Sequence, residues 1–177
     1  MKKMIILLAV VMAAHSTNAQ VGSQFPDFYR VIFFGDTREY WAEDISPFKE
    51  GEIRVLRFCH SNSLYTINKK NGEIITSTGI YKAGKVQFMQ ALRKAEGGYT
   101  SRFSIFTFED GSKFPGKITN TKGTIIQVTF VHSGSNYEFK AISDQNWIVT
   151  KSNGAYKVGA KAKSCGYDLQ NAEPFSK

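Results

Sequence analysis

The densest concentration of reactive side chains is FFGDTREYWAEDI, residues 33–45, which brings Asp36, Arg38, Glu39, Tyr40, Trp41, Glu43 and Asp44 into one short run. Two chemistries follow from these residue types. Paired carboxylates beside aromatic rings are what a glycosidase needs, and Arg, Tyr and Trp are the side chains that anchor interfaces. On a helix starting at Asp36, Glu39 and Glu43 stand one turn apart on the same face. Such a pair projects side by side, whereas glycosidase carboxylates flank the scissile bond from opposite sides of a cleft. The spacing also has a structural reading. Asp36-x-x-Glu39 follows the logic of a capping box, and acids in a first turn interact favourably with the helix dipole. Trp41 and Ile45 then form a buried stripe with Tyr40 at its edge, Glu39 and Glu43 stay in water, and Arg38, Glu43 and Asp44 are left without a structural task. The candidate binding residues are therefore Arg38, Tyr40, Trp41, Glu43 and Asp44, joined by Trp147; Glu39, Glu43 and Asp44 are the candidates for a hydrolase.

Other chemistries find less. GIYKAGKV at 79–86 and GSKFPGKI at 111–118 both match G-x-x-x-x-G-K, but the next residue, Val86 or Ile118, cannot supply the hydroxyl that a phosphate loop offers to magnesium. Beyond the opening segment the histidines are His60 and His132, with no paired-histidine or C-x-x-C spacing, so no metal site and no cofactor is expected. Cys59 and His60 are neighbours, yet adjacent residues of a strand point to opposite faces. No G-x-S-x-G is present.

The first nineteen residues, MKKMIILLAVVMAAHSTNA, combine two lysines, an apolar run from Met4 to Ala14 and small residues at Thr17 and Ala19, the pattern of a cleaved export signal. The run is too short to span a bilayer, and no transmembrane segment is expected in the mature chain. Residues 20–177 then form one β-rich domain with a C-terminal arm at about 153–177, in a periplasmic or extracellular setting. Loss of Lys2 and Lys3 lowers the formal charge of +8 but leaves the chain basic. A basic surface favours an anionic glycan, a membrane surface or an acidic protein as partner; no nucleic acid is expected. The most basic stretch, with Lys151, Lys157, Lys161 and Lys163 around Tyr156, reads as part of the solvated arm. In an exported chain the two cysteines, Cys59 and Cys165, predict a disulfide, with a chain-entropy contribution of about 4–5 kcal/mol at most.

Turn signals at 69–73, 109–112, 120–123, 133–136, 143–146 and 152–154 separate runs rich in β-branched and aromatic residues. They predict strands near 28–34, 52–59, 63–69, 73–80, 100–109, 113–119, 123–132, 137–142 and 147–152, antiparallel because the connections are short. Phe88, Ala91, Leu92 and Ala95 follow i, i+3, i+4, i+7 ahead of Gly97-Gly98 and predict a helix over 85–96. The expected fold is mainly β, a single-domain antiparallel barrel or sandwich with two short helices at about 37–45 and 85–96.

A small exported antiparallel barrel with its C-terminal segment tied to an early strand resembles the lipocalin-type ligand carriers. The resemblance is architectural; the Gly-x-Trp signature of their first strand is missing, and no residue or ligand is carried over. The functional expectation is an exported, non-enzymatic binding protein acting through an aromatic and basic surface or a small cavity. The alternatives are a small glycan-directed hydrolase or a structural component of a cell-surface assembly.

Overall fold

The structure, a computed structural model, describes residues 28–48, 50–95 and 103–176. The export segment read at 1–19 lies outside them. Every regular element among the described residues is a strand: β1 Phe28–Phe33, β2 Tyr40–Asp44, β3 Ile53–Phe58, β4 Leu64–Asn68, β5 Glu73–Ser77, β6 Gly84–Lys94, β7 Phe103–Phe108, β8 Lys113–Lys122, β9 Ile125–Phe130, β10 Asn136–Ser143, β11 Asn146–Ser152 and β12 Lys161–Leu169. The strands placed by turn chemistry are all present. The other three are β2 and β6, both expected as helices, and β12, which lies within the C-terminal segment 153–177.

Within β1–β6 and within β7–β12 consecutive strands pair antiparallel, β6 and β12 join the two halves, and two further pairings close the sheet on itself twice. β6 returns to β1, with Tyr29 opposite Ala91 and Val31 opposite Met89, completing a six-stranded ring from β1 to β6. β12 returns to β7, with Ser104 opposite Gly166 and Phe106 opposite Ser164, completing a second ring from β7 to β12. Closure pairs the backbone groups that an open sheet leaves along its edges. Rings of six are also smaller than the eight-stranded barrels of the lipocalins, and side chains fill them. Val31, Phe33, Leu56, Phe58, Tyr65 and Ile67 pack inside the first ring; Phe106, Phe108, Val128, Phe130, Tyr137 and Phe139 pack inside the second. A third cluster, built on Phe28, Trp41, Leu92, Ile105 and Tyr167, lies between the rings.

Both helix expectations fail for a packing reason. In β2, Tyr40, Trp41 and Ala42 are all buried, because Tyr40 and Ala42 enter the first ring while Trp41 enters the cluster between the rings. A strand covered on both faces shows no alternation, and its apolar positions imitate a helical stripe. In β6, the register slips at Gln87, so that Val86 faces Phe33 and Met89 faces Val31. This bulge resets the phase of the strand. Inward side chains fall at 86, 89 and 91, and Leu92 is buried from the other face, which reproduces an i, i+3 spacing. Asp36, expected as a helix cap, instead lies in the turn before β2. It accepts hydrogen bonds from the Arg38 backbone N–H at 2.9 Å, from the Arg38 guanidinium, and from the hydroxyls of Tyr40 and Tyr81. These donors, Arg38 first, hold its carboxyl far below the usual range.

The two rings are copies of one plan. Tyr65 faces Ser77, Thr66 faces Thr76, and after a slip Ile67 faces Ile74. Tyr137 faces Ser152, Glu138 faces Lys151, and after a slip at the same place Phe139 faces Val149. The β1–β2 register (Phe28 to Glu43, Val31 to Tyr40) recurs in β7–β8 (Phe103 to Lys117, Phe106 to Phe114). A tyrosine brace recurs as well. Tyr81 stacks on Phe33 at 4.0 Å, donates its hydroxyl to Asp36, and its backbone N–H reaches Tyr65 Oη at 3.2 Å. Tyr156 stacks on Phe108 at 3.6 Å, donates to Asp110, and its N–H reaches Tyr137 Oη at 3.1 Å. Gly79 and Gly154 lie against Tyr65 and Tyr137 so closely that a Cβ on either would meet the phenol oxygen at 2.0 or 2.2 Å. GIYKAGKV is thus the first copy of a packing motif, not a phosphate loop.

Candidate functional site

The ring copies meet about a local dyad. The ends of β6 and β12 pair with Leu92 opposite Leu169, Arg93 opposite Asp168 and Lys94 opposite Tyr167, so the axis passes between Arg93 and Asp168. Equivalent residues therefore approach each other at the seam. His60 and His132, each following the third strand of its ring, stack at 4.1 Å. Burial, with contributions from His132 and Arg38, lowers the His60 pKa to about 4; burial and Arg38 lower that of His132. Both rings are neutral at pH 7.

On one flank of the seam lies a chamber of about 380 Å³. Lys94 of β6, Lys113 of β8 and Lys163 of β12 line it, with Phe28 and Tyr167 edge to face at 5.2 Å. Lys113 forms an ion pair with Glu43 across the seam. Asp44 also borders the chamber but is turned to the buried Arg54, whose Nε lies 3.5 Å from Asp44 Oδ2, and to Ser46. The charge presented to the chamber is therefore positive, and a pocket of this size with a few convergent polar groups is the usual form of a small-ligand site.

The dyad generates a second position on the opposite flank, and its contents differ. Where the chamber has Ile105, Lys113, Lys163 and Cys165, the mate has Arg30, Glu39, Phe88 and Gln90. Arg30 forms an ion pair with Glu39, donates to Gln90 Oε1 at 3.2 Å and lies over the Phe88 ring at 5.5 Å. The chain after β12 then runs along β6, with Gln170 N–H on Ala91 O and Phe175 N–H on Gln87 O, both at 2.9 Å, and Gln90 donates to Gln170 O. One flank is filled by the protein's own cation, carboxylate and tail; among the described residues nothing fills the other.

Of the residues singled out from sequence, Glu43 and Asp44 reach this chamber. Arg38 is exposed and paired with Asp36. Tyr40 is buried in the first ring and Trp41, 2 % exposed, in the seam cluster. Trp147 is buried in the second ring and donates to Ser164 Oγ at 2.7 Å. Glu39 and Glu43, expected in water, are both in ion pairs. The expected disulfide is not formed: Cys59 and Cys165 are free thiols packed against the seam cluster. Cys59 takes the place that Val131 holds in the other copy, next to the stacked histidine, and burial pushes its pKa up to about 12. It serves as a small apolar residue.

Lys94, Lys113, Lys163, Phe28 and Tyr167 were not legible as a site. The signal that leads to them is the internal repeat, FCHSNSLYTI at 58–67 against FVHSGSNYEF at 130–139, with STGIYKAG at 77–84 against SNGAYKVG at 152–159. Comparison with family models, curated proteins and solved structures returns no match.

Proposed function

We propose that this chain is an exported, non-enzymatic binding protein and that the basic chamber at the seam takes an anionic ligand, of the class of an acidic sugar. The observation that carries this is the difference between the dyad-related flanks: one is internally neutralised by Arg30 and Glu39, the other keeps Lys94 and Lys163 around an open volume. The Phe28 and Tyr167 rings supply an apolar wall beside the ammonium groups, which suits a ligand with both a charge and a carbon skeleton. Export rests on the signal-like segment at 1–19. The hydrolase alternative has less support. Glu39, Glu43 and Asp44 each have a cation of their own in Arg30, Lys113 and Arg54, so none is poised as a free acid or base.

The test is calorimetric titration of the mature protein with galacturonic acid at low ionic strength. Charge-assisted hydrogen bonds contribute about 1.5–3 kcal/mol each, so Lys94→Ala with Lys163→Ala is expected to weaken binding by roughly a hundredfold or more. Added salt should weaken it further, since exposed charges are screened. Binding that ignores both the double substitution and salt would remove the proposal.

A further inference from the structure

We infer that the chamber is one half of a longer groove, and that its ligand is an acidic oligosaccharide carrying its charge at one end. This rests on the binding reading above. A second cavity of about 260 Å³ adjoins the first, and both are bordered by Glu43 and Lys113, whose ion pair stands between them. The two halves differ in chemistry. The first offers ammonium groups and aromatic rings; the second is lined by Arg57, Asn62, Asp110 and Ser112, one cation offset by one carboxylate among polar donors and acceptors, without an aromatic wall. Asp110 remains a carboxylate there, because hydrogen bonds from Ser112 N–H and Tyr156 Oη lower its pKa. Acceptors and donors so mixed match the hydroxyls of a neutral sugar. The Glu43–Lys113 pair is self-neutralised, so it does not call for a second negative charge at the middle of the groove.

Asn62 points independently to this half. It occupies the left-handed region, φ 55°, in the turn after β3, and the equivalent position in the second ring is Gly134, φ 67°. Glycine is the residue that adopts this conformation without steric cost. The first ring keeps a side chain where the second has none, and that side chain borders the cavity. An acidic peptide fits less well. Peptides are commonly held by adding a strand to a free sheet edge, and closure of both rings leaves no such edge among the described strands.

Titration of the mature protein with three probes tests this: galacturonic acid, a disaccharide of one glucuronic acid and one neutral hexose, and tetraglutamate. The disaccharide is expected to bind at least tenfold more tightly than the monosaccharide, and Asn62→Gly, which copies the second ring and preserves the turn, is expected to bring that ratio towards one. Glu43→Gln frees Lys113 and is expected to raise affinity for digalacturonic acid relative to the singly charged disaccharide. Equal affinity for mono- and disaccharide, a ratio unchanged in Asn62→Gly, or tetraglutamate binding as tightly as the disaccharide would overturn the inference while leaving the lysine chamber standing. If no saccharide binds at all, the binding reading falls and this one with it.

Discussion

The duplicated frame contains its own control for a buried ion pair. Inside the first ring Arg54 is 1 % exposed and lies beside Asp44, with Tyr29 Oη 3.4 Å from its Nε and Ile53 O 2.8 Å from its Nη1. The matching positions of the second ring are Ile126, Ile118 and Ser104, so two isoleucines stand there in place of the ion pair and a small hydroxyl in place of the phenol. Removing one partner of a buried pair costs about 3–5 kcal/mol, because the other charge loses its compensation; replacing both with apolar residues is often neutral. Arg54→Ile alone is therefore expected to lose about 3–5 kcal/mol of the roughly 5–15 kcal/mol typical of a folded domain. Arg54→Ile with Asp44→Ile also loses the two hydrogen bonds from Ser46 to Asp44, at about 1 kcal/mol each. The double variant should thus lie within about 2 kcal/mol of the parent, with a coupling energy of several kcal/mol in a double-mutant cycle. Urea unfolding at pH 7, followed by tryptophan fluorescence, measures each corner of the cycle. Additive losses would show that the two side chains stabilise the ring separately and that the second ring's isoleucines are no substitute for the pair.

Three further outcomes follow from the same geometry. Gly79→Ala and Gly154→Ala each push a Cβ into a phenol ring and should cost about 1–3 kcal/mol in thermal or urea unfolding, whereas Gly123→Ala meets no neighbouring atom and is opposed only by its positive φ. His60 has a folded pKa lowered from 6.5 to about 4, so between these values the unfolded chain binds more protons and stability should fall as pH drops through that window. The face value is about 3 kcal/mol, reduced to roughly 1–2 kcal/mol by the exposure of the ring; His60→Asn with His132→Asn should flatten the profile measured by urea unfolding from pH 7 to pH 4. Cys59 should react with a thiol reagent at pH 8 only on unfolding, and titration of the denatured, unreduced protein should count both thiols as free; a bridged pair would contradict the packing of the seam.

What the sequence made legible were the strands that have one covered face and a turn of recognisable chemistry. Ile126, Val128 and Phe130 alternate with Gln127 and Thr129, and they do point into a ring. Asn71-Gly72 and Asp110-Gly111 do close turns, with positive φ at both glycines. Legibility ended where two rings share a surface. Trp41 is buried from outside its own ring and Leu92 is buried opposite to Met89, so strands at the seam lose the period that identifies them. The site was hidden for a related reason. Lys94, Lys113 and Lys163 are far apart in the chain and unremarkable singly; the dyad alone brings them together. In the sequence His60 stands out only as the neighbour of Cys59, and His132 as a lone histidine without metal-ligand spacing, although each is the same position in its own copy.

The residues that break the dyad also place the basic chamber. In the first ring Glu39 stands just before β2 and Glu43 within it; at the matching positions of the second ring β8 carries Lys113 and Lys117. Two identical first rings would set acid against acid across the seam, and two second rings would set lysine against lysine, each a repulsive contact. The charge reversal makes the mixed seam attractive, as the Glu43–Lys113 pair shows. It also makes the flanks unequal: Glu39 neutralises Arg30 on one side, while on the other its counterpart Lys113 is paired with Glu43 and the charge facing the chamber is left to Lys94 and Lys163. Pairing of the two halves and location of the basic chamber are thus consequences of the same substitutions. A charge swap that restores symmetry, Lys113→Glu with Lys117→Glu, is expected to weaken the seam and abolish the proposed anion binding together, which separate origins for the two properties would not require.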